Sequence, residues 1–391
     1  MLRSLDSGIS GLQAHQTMLD VTANNIANVN TTGFKASSTQ FEDTLSQMLH
    51  SAGGSNGTVG STNPAQVGLG VKVAGIATDF TQGSTNSTGK PTDMMISGDG
   101  FFTVKAGGQT MYTRAGSFAF DSDGQLAAPD GSLVQGWSAV GGVVPSGNAP
   151  LSTITLPTNS VAPAVATTKA TLSGNLPSDA AVGTTVTETE GVYDSTGTSR
   201  SLDLTFTKTA TGWDVAGADG TGATGTATMT FAGGALTAGT SITVGGVAVD
   251  MSGTTGFASL QTATISGQDG RASGTLQSYS LSSDGKLVGS YSNGATETIA
   301  QIALANFTNP DGLAKVGSSD YTPTIASGAA TLGIAGANGF GSLVGGSLEM
   351  SNVDLTQEFS NLIVAQRGFE ANARIITTSD QILQDLNQMQ H

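Results

Sequence analysis

The chain has 391 residues, of which 11% are charged and 5% aromatic, with 55 glycines; about 25% charged and ~7% glycine are usual for globular domains. That profile speaks against a compact helical enzyme and favours short strands, tight turns and surfaces of Ser, Thr, Asn and Gly. A formal net charge of −15 speaks against nucleic acid and anionic membrane, which are held by clustered Lys and Arg, and the lack of cysteine excludes disulfides, thiolate zinc sites and cysteine nucleophiles.

The N-terminal stretch MLRSLDSGISGLQAHQ lacks the run of about 7–15 apolar residues of a cleavable secretory signal. Residues 1–30 read as helix, with Leu5, Ile9, Leu12, Gln16, Leu19, Ala23 and Ile26 recurring in alternating steps of four and three. That heptad rhythm belongs to a helix burying one narrow seam. Asn24, Asn25 and Asn28 crowd its end, although asparagine competes with the helix for backbone hydrogen bonds. They either terminate the helix before Asn30 and Gly33 or offer amides to neighbouring molecules.

Residues 31–68 read as a polar, irregular connector broken at Gly53-Gly54 and Asn56-Gly57. Residues 69–150 and 275–351 read as strands and hairpins. Asp99-Gly100, Asp123-Gly124, Asp130-Gly131, Asp284-Gly285 and Asn293-Gly294 predict tight two-residue turns. Residues 151–274 are also β-rich but looser and richer in Gly and Thr, as expected of a domain inserted into another.

Residues 352–391 read as helix again. Leu355, Phe359, Leu362, Gln366, Phe369, Ala373, Ile376, Asp380 and Leu383 repeat the N-terminal rhythm. The runs Leu12-Gln16-Leu19-Ala23-Ile26 and Leu362-Gln366-Phe369-Ala373-Ile376 match position by position, so the two helices are expected to pair. Asp354 with Gln357, or Ser351 with Asp354, supplies a capping signal for the second helix. No segment approaches the ~18 apolar residues of a membrane helix.

Catalytic material is thin. The histidines are His15, His50 and His391, none in the central β regions where a pocket would hold a triad. Asp121-Ser-Asp123-Gly124 misplaces the glycine of a calcium loop and reads as a polar turn. No cofactor or metal set is nominated. Seams at both extreme ends, set off from the β regions by connectors, point to burial between molecules rather than within one.

The asparagine-rich run Leu19-Asp20-Val21-Thr22-Ala23-Asn24-Asn25-Ile26-Ala27-Asn28, followed by Asn30-Thr31-Thr32-Gly33-Phe34-Lys35, resembles the N-terminal signature of flagellar rod and hook proteins. Ser351-Asn352-Val353-Asp354-Leu355, Gln366-Arg367-Gly368-Phe369 and Ala371-Asn372 resemble the same family's C-terminal end. Ile96-Ser-Gly-Asp-Gly-Phe-Phe102, Tyr112-Thr-Arg-Ala-Gly-Ser-Phe118 and Asn306-Phe-Thr-Asn-Pro-Asp-Gly-Leu313 are similar to its shared β-domain. Within the family, Tyr193-Asp-Ser-Thr-Gly197 ahead of a strand at Ser201, inside 151–274, resembles the hook members' outer domain.

The resemblance implies a non-enzymatic structural subunit, mainly β with α-helical termini that pair as a coiled coil. Residues 1–30 and 352–391 would line the inner tube and 31–68 connect. Residues 69–150 and 275–351 would form a discontinuous inner β-domain, and 151–274 the inserted outer one. It further implies a curved helical homopolymer passing torque as a universal joint. Its partners would be rod, hook-cap, hook-length-control and hook–filament junction proteins, outside the cell after type III export without signal cleavage. A distal rod protein and a secreted adhesin are the alternatives. The expected packing residues are the seam Leu5, Ile9, Leu12, Leu19, Ala23, Ile26, Leu355, Phe359, Leu362, Phe369, Ala373, Ile376 and Leu383. The family-motif positions are Asn24, Asn25, Asn28, Gly33, Phe34, Ser351, Asn352, Asp354, Gln366, Arg367 and Asn372.

Overall fold

The computed structural model describes residues 2–54, 61, 63–145, 149–156, 161–337 and 339–389. Asn56-Gly57 and His391 lie outside the described residues. The architecture is mainly β with a helix at each end, as expected. The chain divides into two compact units: Met1–Leu156 with Ser280–Val288 and Thr298–His391, and Pro157–Tyr279 with Gly289–Glu297.

In the first unit, helix α1 (Leu2–Ala27) packs on helix α2 (Leu355–Gln388). The 34 residues of α2 span about 50 Å at 1.5 Å each. The Asp354 carboxylate starts α2 by accepting from the N–H groups of Thr356 at 2.8 Å and Gln357 at 3.3 Å. This is the first of the two capping alternatives; Ser351 Oγ instead accepts from Val353 N at 3.3 Å.

The described part of the connector carries paired strands. Strand Ser37–Asp43 pairs antiparallel with Val71–Thr78, and Ser46–His50 with Ala65–Gly68. These pairings were hidden because each strand's partner lies far along the chain, with no short turn between them to mark a hairpin.

The β-domain of this unit is built from both halves of the chain. Leu133–Ser138 pairs with Phe101–Ala106 and with Thr296–Asn306, and Phe101–Ala106 forms a hairpin with Gln109–Thr113. Gln109–Thr113 then pairs with Asp320–Thr322. Two short ladders knit early strands to late ones: Met94–Ser97 to Ser342–Gly345, and Thr85–Ser87 to Ser347–Glu349. Phe80, Phe101, Tyr112, Phe307 and Tyr321 meet in its core, with ring centroids 4.9–5.9 Å apart. Tilted and edge-on packing of this kind suits the aromatic quadrupole.

The second unit contains a nine-stranded sheet. Strands Thr185–Tyr193, Ser199–Lys208, Gly212–Asp219 and Thr224–Ala232 run as an antiparallel meander. Lys169–Asn175 and Val247–Thr255 pair in parallel. One core takes Val186 from one end of the sheet and Ile265 from the other, around Trp213, Phe206 and Leu204. The sheet therefore curls over on itself. Outward positions carry Thr, Ala and Asp, the period-2 alternation of a half-buried strand.

The hairpin glycines do take positive φ, but not in two-residue turns. At Asp123-Gly124, the Gly124 N–H bonds Asp121 O at 3.1 Å and Asp121 N bonds Gln125 O at 2.9 Å. The aspartate keeps negative φ, so this is a type I turn closed by a left-handed glycine. The two-residue turn belongs instead to pairs such as Gly107-Gly108, with φ of 56° and 87°, between the paired Ala106 and Gln109.

Candidate functional site

The terminal helices meet through small residues. Gly8, Gly11, Ala14, Thr22 and Asn25 are the buried positions of α1, and Glu358, Ala365 and Ser379 those of α2. A β-carbon on Gly11 would stand 2.8 Å from the Asn372 amide, and one on Gly368 would stand 2.5 Å from the His15 ring. The helices thus approach closely where a glycine costs about 1 kcal/mol of helix propensity against alanine. Asn372 is held in place by its own bond to Gly368 O at 2.9 Å.

This contact face lies one residue before the apolar seam on both helices, at 8, 11, 22 and 25 against 9, 12, 23 and 26, and at 358, 372 and 379 against 359, 373 and 380. One residue is about 100° of helix rotation at 3.6 residues per turn. The seam consequently points partly outward. Ile9, Ala23, Leu355, Phe359 and Leu383 are exposed, Phe359 at 52%. Leu5, Leu12, Leu19, Ile26, Leu362, Phe369, Ala373 and Ile376 are only half-buried. Ile363 and Val364, at 49% and 60%, widen the exposed apolar strip on α2.

The motif residues gather at a polar joint where both helices meet the β-domain. Asn25 reads the backbone of Ser37 as a strand would: Nδ2 donates to Ser37 O at 2.7 Å, and Oδ1 accepts from Ser37 N at 3.0 Å. Nδ2 also donates to Glu358 Oε1 at 3.0 Å. One amide therefore ties α1, the connector and α2 together. Asn352 does the same beside it, accepting from Ala36 N at 2.8 Å and donating to Asp79 O at 2.8 Å and Thr81 Oγ1 at 3.1 Å.

Beneath these amides lies a fully buried ion pair, Lys35 Nζ to Glu349 Oε1 at 2.6 Å. Lys35 also donates to Thr81 O at 2.6 Å, and Gly83 N donates to the same carboxylate oxygen at 2.9 Å. Arg114 stands 3.6 Å from Glu349 Oε2, donates to Gly98 O at 2.9 Å, and lies over the Phe101 ring. Burial lowers the Lys35 pKa, with Glu349 opposing that shift. Gly33 takes φ of +68° and donates to Glu349 O at 2.8 Å, and a side chain there would run into the Ala115 backbone.

Other motif positions do less. Asn28 bonds back to Asn24 O and Oδ1, both at 2.9 Å, and Thr31 Oγ1 bonds Asn28 Oδ1 at 3.0 Å. These bonds close the end of α1. Lys315 lies over the Phe34 ring at 5.0 Å. The side chains of Gln366 and Arg367 are exposed and make no hydrogen bond or ion pair among the described residues.

Sequence reasoning missed Gly8, Gly11, Glu358 and Glu349. Two glycines three apart inside a helix were a readable signal, since they weaken the helix unless something packs against them. Glu349 gave no local sign. Among the described residues no three His, Asp or Glu side chains gather to hold a metal, and His15 lies between the helices against Gly368.

Three family models match: Flagella basal body rod protein over residues 5–35, Flagellar hook protein FlgE/F/G D1 domain over 95–170, and Flagellar basal body rod FlgEFG protein C-terminal over 344–389. The flagellar hook protein FlgE of Borreliella burgdorferi is 38% identical over 438 residues, with 99% of each chain covered. That of Salmonella typhimurium is 37% identical, with 98% of this chain and 99% of the relative covered. The flagellar basal-body rod protein FlgG of Bacillus subtilis is 33% identical, with 99% of this chain and 98% of the relative covered. On sequence matches that run nearly end to end, the chain belongs to the flagellar rod and hook proteins, within their hook protein family FlgE.

Proposed function

We propose that the chain is a structural subunit of the flagellar hook that polymerises helically into a curved, hollow tube and passes torque from rod to filament. The observation that carries this reading is the apolar strip on the paired helices. The two helices spend their small residues on each other and leave Phe359, Ile363, Val364 and Leu355 outward. An exposed apolar strip of this kind marks an interaction surface, and head-to-tail burial between copies that does not close yields an open helical polymer.

In this reading residues 1–30 and 352–391 form the inner tube, 31–68 connect, 69–150 and 275–351 form the inner β-domain, and 151–274 the outer one. The thirteen seam residues, Leu5 through Leu383, are the packing surface between subunits. The outward Thr and Ala of the second unit give weak, wet contacts that slide as the tube bends. Rod, hook-cap, length-control and hook–filament junction proteins are its partners outside the cell. Because α1 is part of the folded first unit, export that retains α1 fits the assembly.

The test is immunogold electron microscopy with antibody raised against the second unit. Gold on the short curved segment between cell surface and filament is the expected result. Gold confined to the straight rod would assign the chain to the rod, and gold scattered over the cell surface would make it an adhesin.

A further inference from the structure

A groove of about 670 Å³ opens in the first unit beside the end of α1. Its walls include Phe34 and Pro129, with the buried Tyr321 behind them, and it holds two carboxylates, Asp130 and Asp320. Asp320 is only 4% exposed, and its Oδ2 has no hydrogen-bond partner among the described residues. Asp130 is anchored through its Oδ1 by Ser132 N at 3.1 Å and Ser132 Oγ at 2.7 Å.

Lys315, the one cation in the groove wall among the described residues, serves other groups. Lys315 Nζ donates to Lys35 O at 3.1 Å and Ser37 Oγ at 2.8 Å. Asp130 and Asp320 therefore stand together with no ion-pair partner among the described residues. Burial and the Asp130 charge push the Asp320 pKa up to about 6, as expected for a carboxylate whose counter-charge is missing. Asp130 is exposed and held below its ordinary pKa, so the cost of the arrangement falls on the buried Asp320 carboxylate, and a cation entering the groove would relieve it.

We propose that this groove receives an arginine side chain from a second copy of the chain, its stem along Phe34 and Pro129 and its guanidinium on Asp130 and Asp320. The shape suits a long side chain with an apolar stem and a planar charged head. The chain also has such groups to spare. Arg3, Arg367 and Arg374 are the only Lys or Arg on the two helices. All three are exposed and none makes an ion pair among the described residues. The inference rests on the assembly reading above and adds a polar register to its apolar seam, because an apolar strip alone tolerates sliding whereas a buried charge pair does not.

The test uses purified full-length chain polymerised in vitro, with the critical concentration read from subunit left in solution. Asp130→Asn with Asp320→Asn is expected to raise it about tenfold, the effect of one interfacial charge contact worth about 1.4 kcal/mol. The melting temperature of the unassembled protein should hold or rise. One of Arg3→Gln, Arg367→Gln and Arg374→Gln should match that increase and add nothing when combined with the aspartate changes. An unchanged critical concentration in the aspartate double variant would overturn the proposal. So would arginine effects that all add to the aspartate effect. A melting temperature raised by millimolar calcium in the wild type, but not in the double variant, would make the groove a metal site instead. Wild type that does not polymerise, or Phe359→Asp that polymerises normally, would bring down the assembly reading itself.

Discussion

Glu349→Gln removes the charge at the centre of the joint while keeping its shape. Glu349 Oε1 now accepts from Lys35 at 2.6 Å and Gly83 N at 2.9 Å, and Oε2 faces Arg114 at 3.6 Å. Glutamine retains one oxygen for Lys35 and Gly83 N but leaves two buried cations, Lys35 and Arg114, without a counter-ion. Breaking one partner of a buried pair costs about 3–5 kcal/mol. For a unit of this size each kcal/mol shifts the melting temperature by roughly 2–4 °C. The variant should therefore melt about 10 °C below the wild type, read by calorimetry on unassembled protein.

The pH dependence has a definite sign. Burial already depresses the Lys35 pKa from its ordinary 10.5, and loss of Glu349 depresses it further. The unfolded state then binds the proton more tightly, so stability rises as pH increases through the interval below 10.5. The deficit of Glu349→Gln should shrink between mildly acid and alkaline pH. Glu42→Gln, which removes an exposed pair with Lys72, is the control and should leave the melting temperature essentially unchanged. Lys35→Met with Glu349→Leu should recover only the part of the loss that comes from Lys35, because Arg114 stays buried without Glu349. A Glu349→Gln variant melting within about 2 °C of wild type would refute the reasoning.

Asn25→Ala deletes three hydrogen bonds and orphans the Ser37 backbone and Glu358, and should cost roughly 2–4 kcal/mol of unfolding free energy; a loss below about 1 kcal/mol in denaturant titration would contradict the bridging role. Phe359→Asp should leave the monomer's melting temperature within about 2 °C of wild type, since the side chain is exposed, while abolishing polymer in sedimentation. The Asp320 pKa is raised to about 6 from 3.8, so its ionised form destabilises the folded state. That cost is absent below the unfolded value and enters as pH rises through 6, reaching at most about 3 kcal/mol. Asp130 shifts the opposite way, and Tyr321 and Lys315 complete the surroundings. Asp320→Asn should therefore raise the melting temperature more at pH 8 than at pH 4.5, and an equal gain at both would count against the shift.

Local order could be read from the chain alone wherever it rests on spacing and turn chemistry. The helices at each end, the places of the glycine turns though not their type, and the alternation of the second unit depend on neighbours within a few residues, and the residues declare them, while the helix cap was narrowed to Asp354 or Ser351. The heptad seam was legible as periodicity, and so was its likeness between the two ends. What periodicity cannot state is which side of a helix the partner takes. Only the tertiary structure showed the helices meeting through Gly8, Gly11 and Gly368, about 100° from the seam. Close approach selects small residues, and a hydrophobic pattern does not register them. The joint was likewise beyond local reading: Lys35 meets Glu349 across 314 positions, and Asn25 meets Glu358 across 333. Each is a polar residue with no local partner, and only the return of the chain supplies the group that makes its burial affordable.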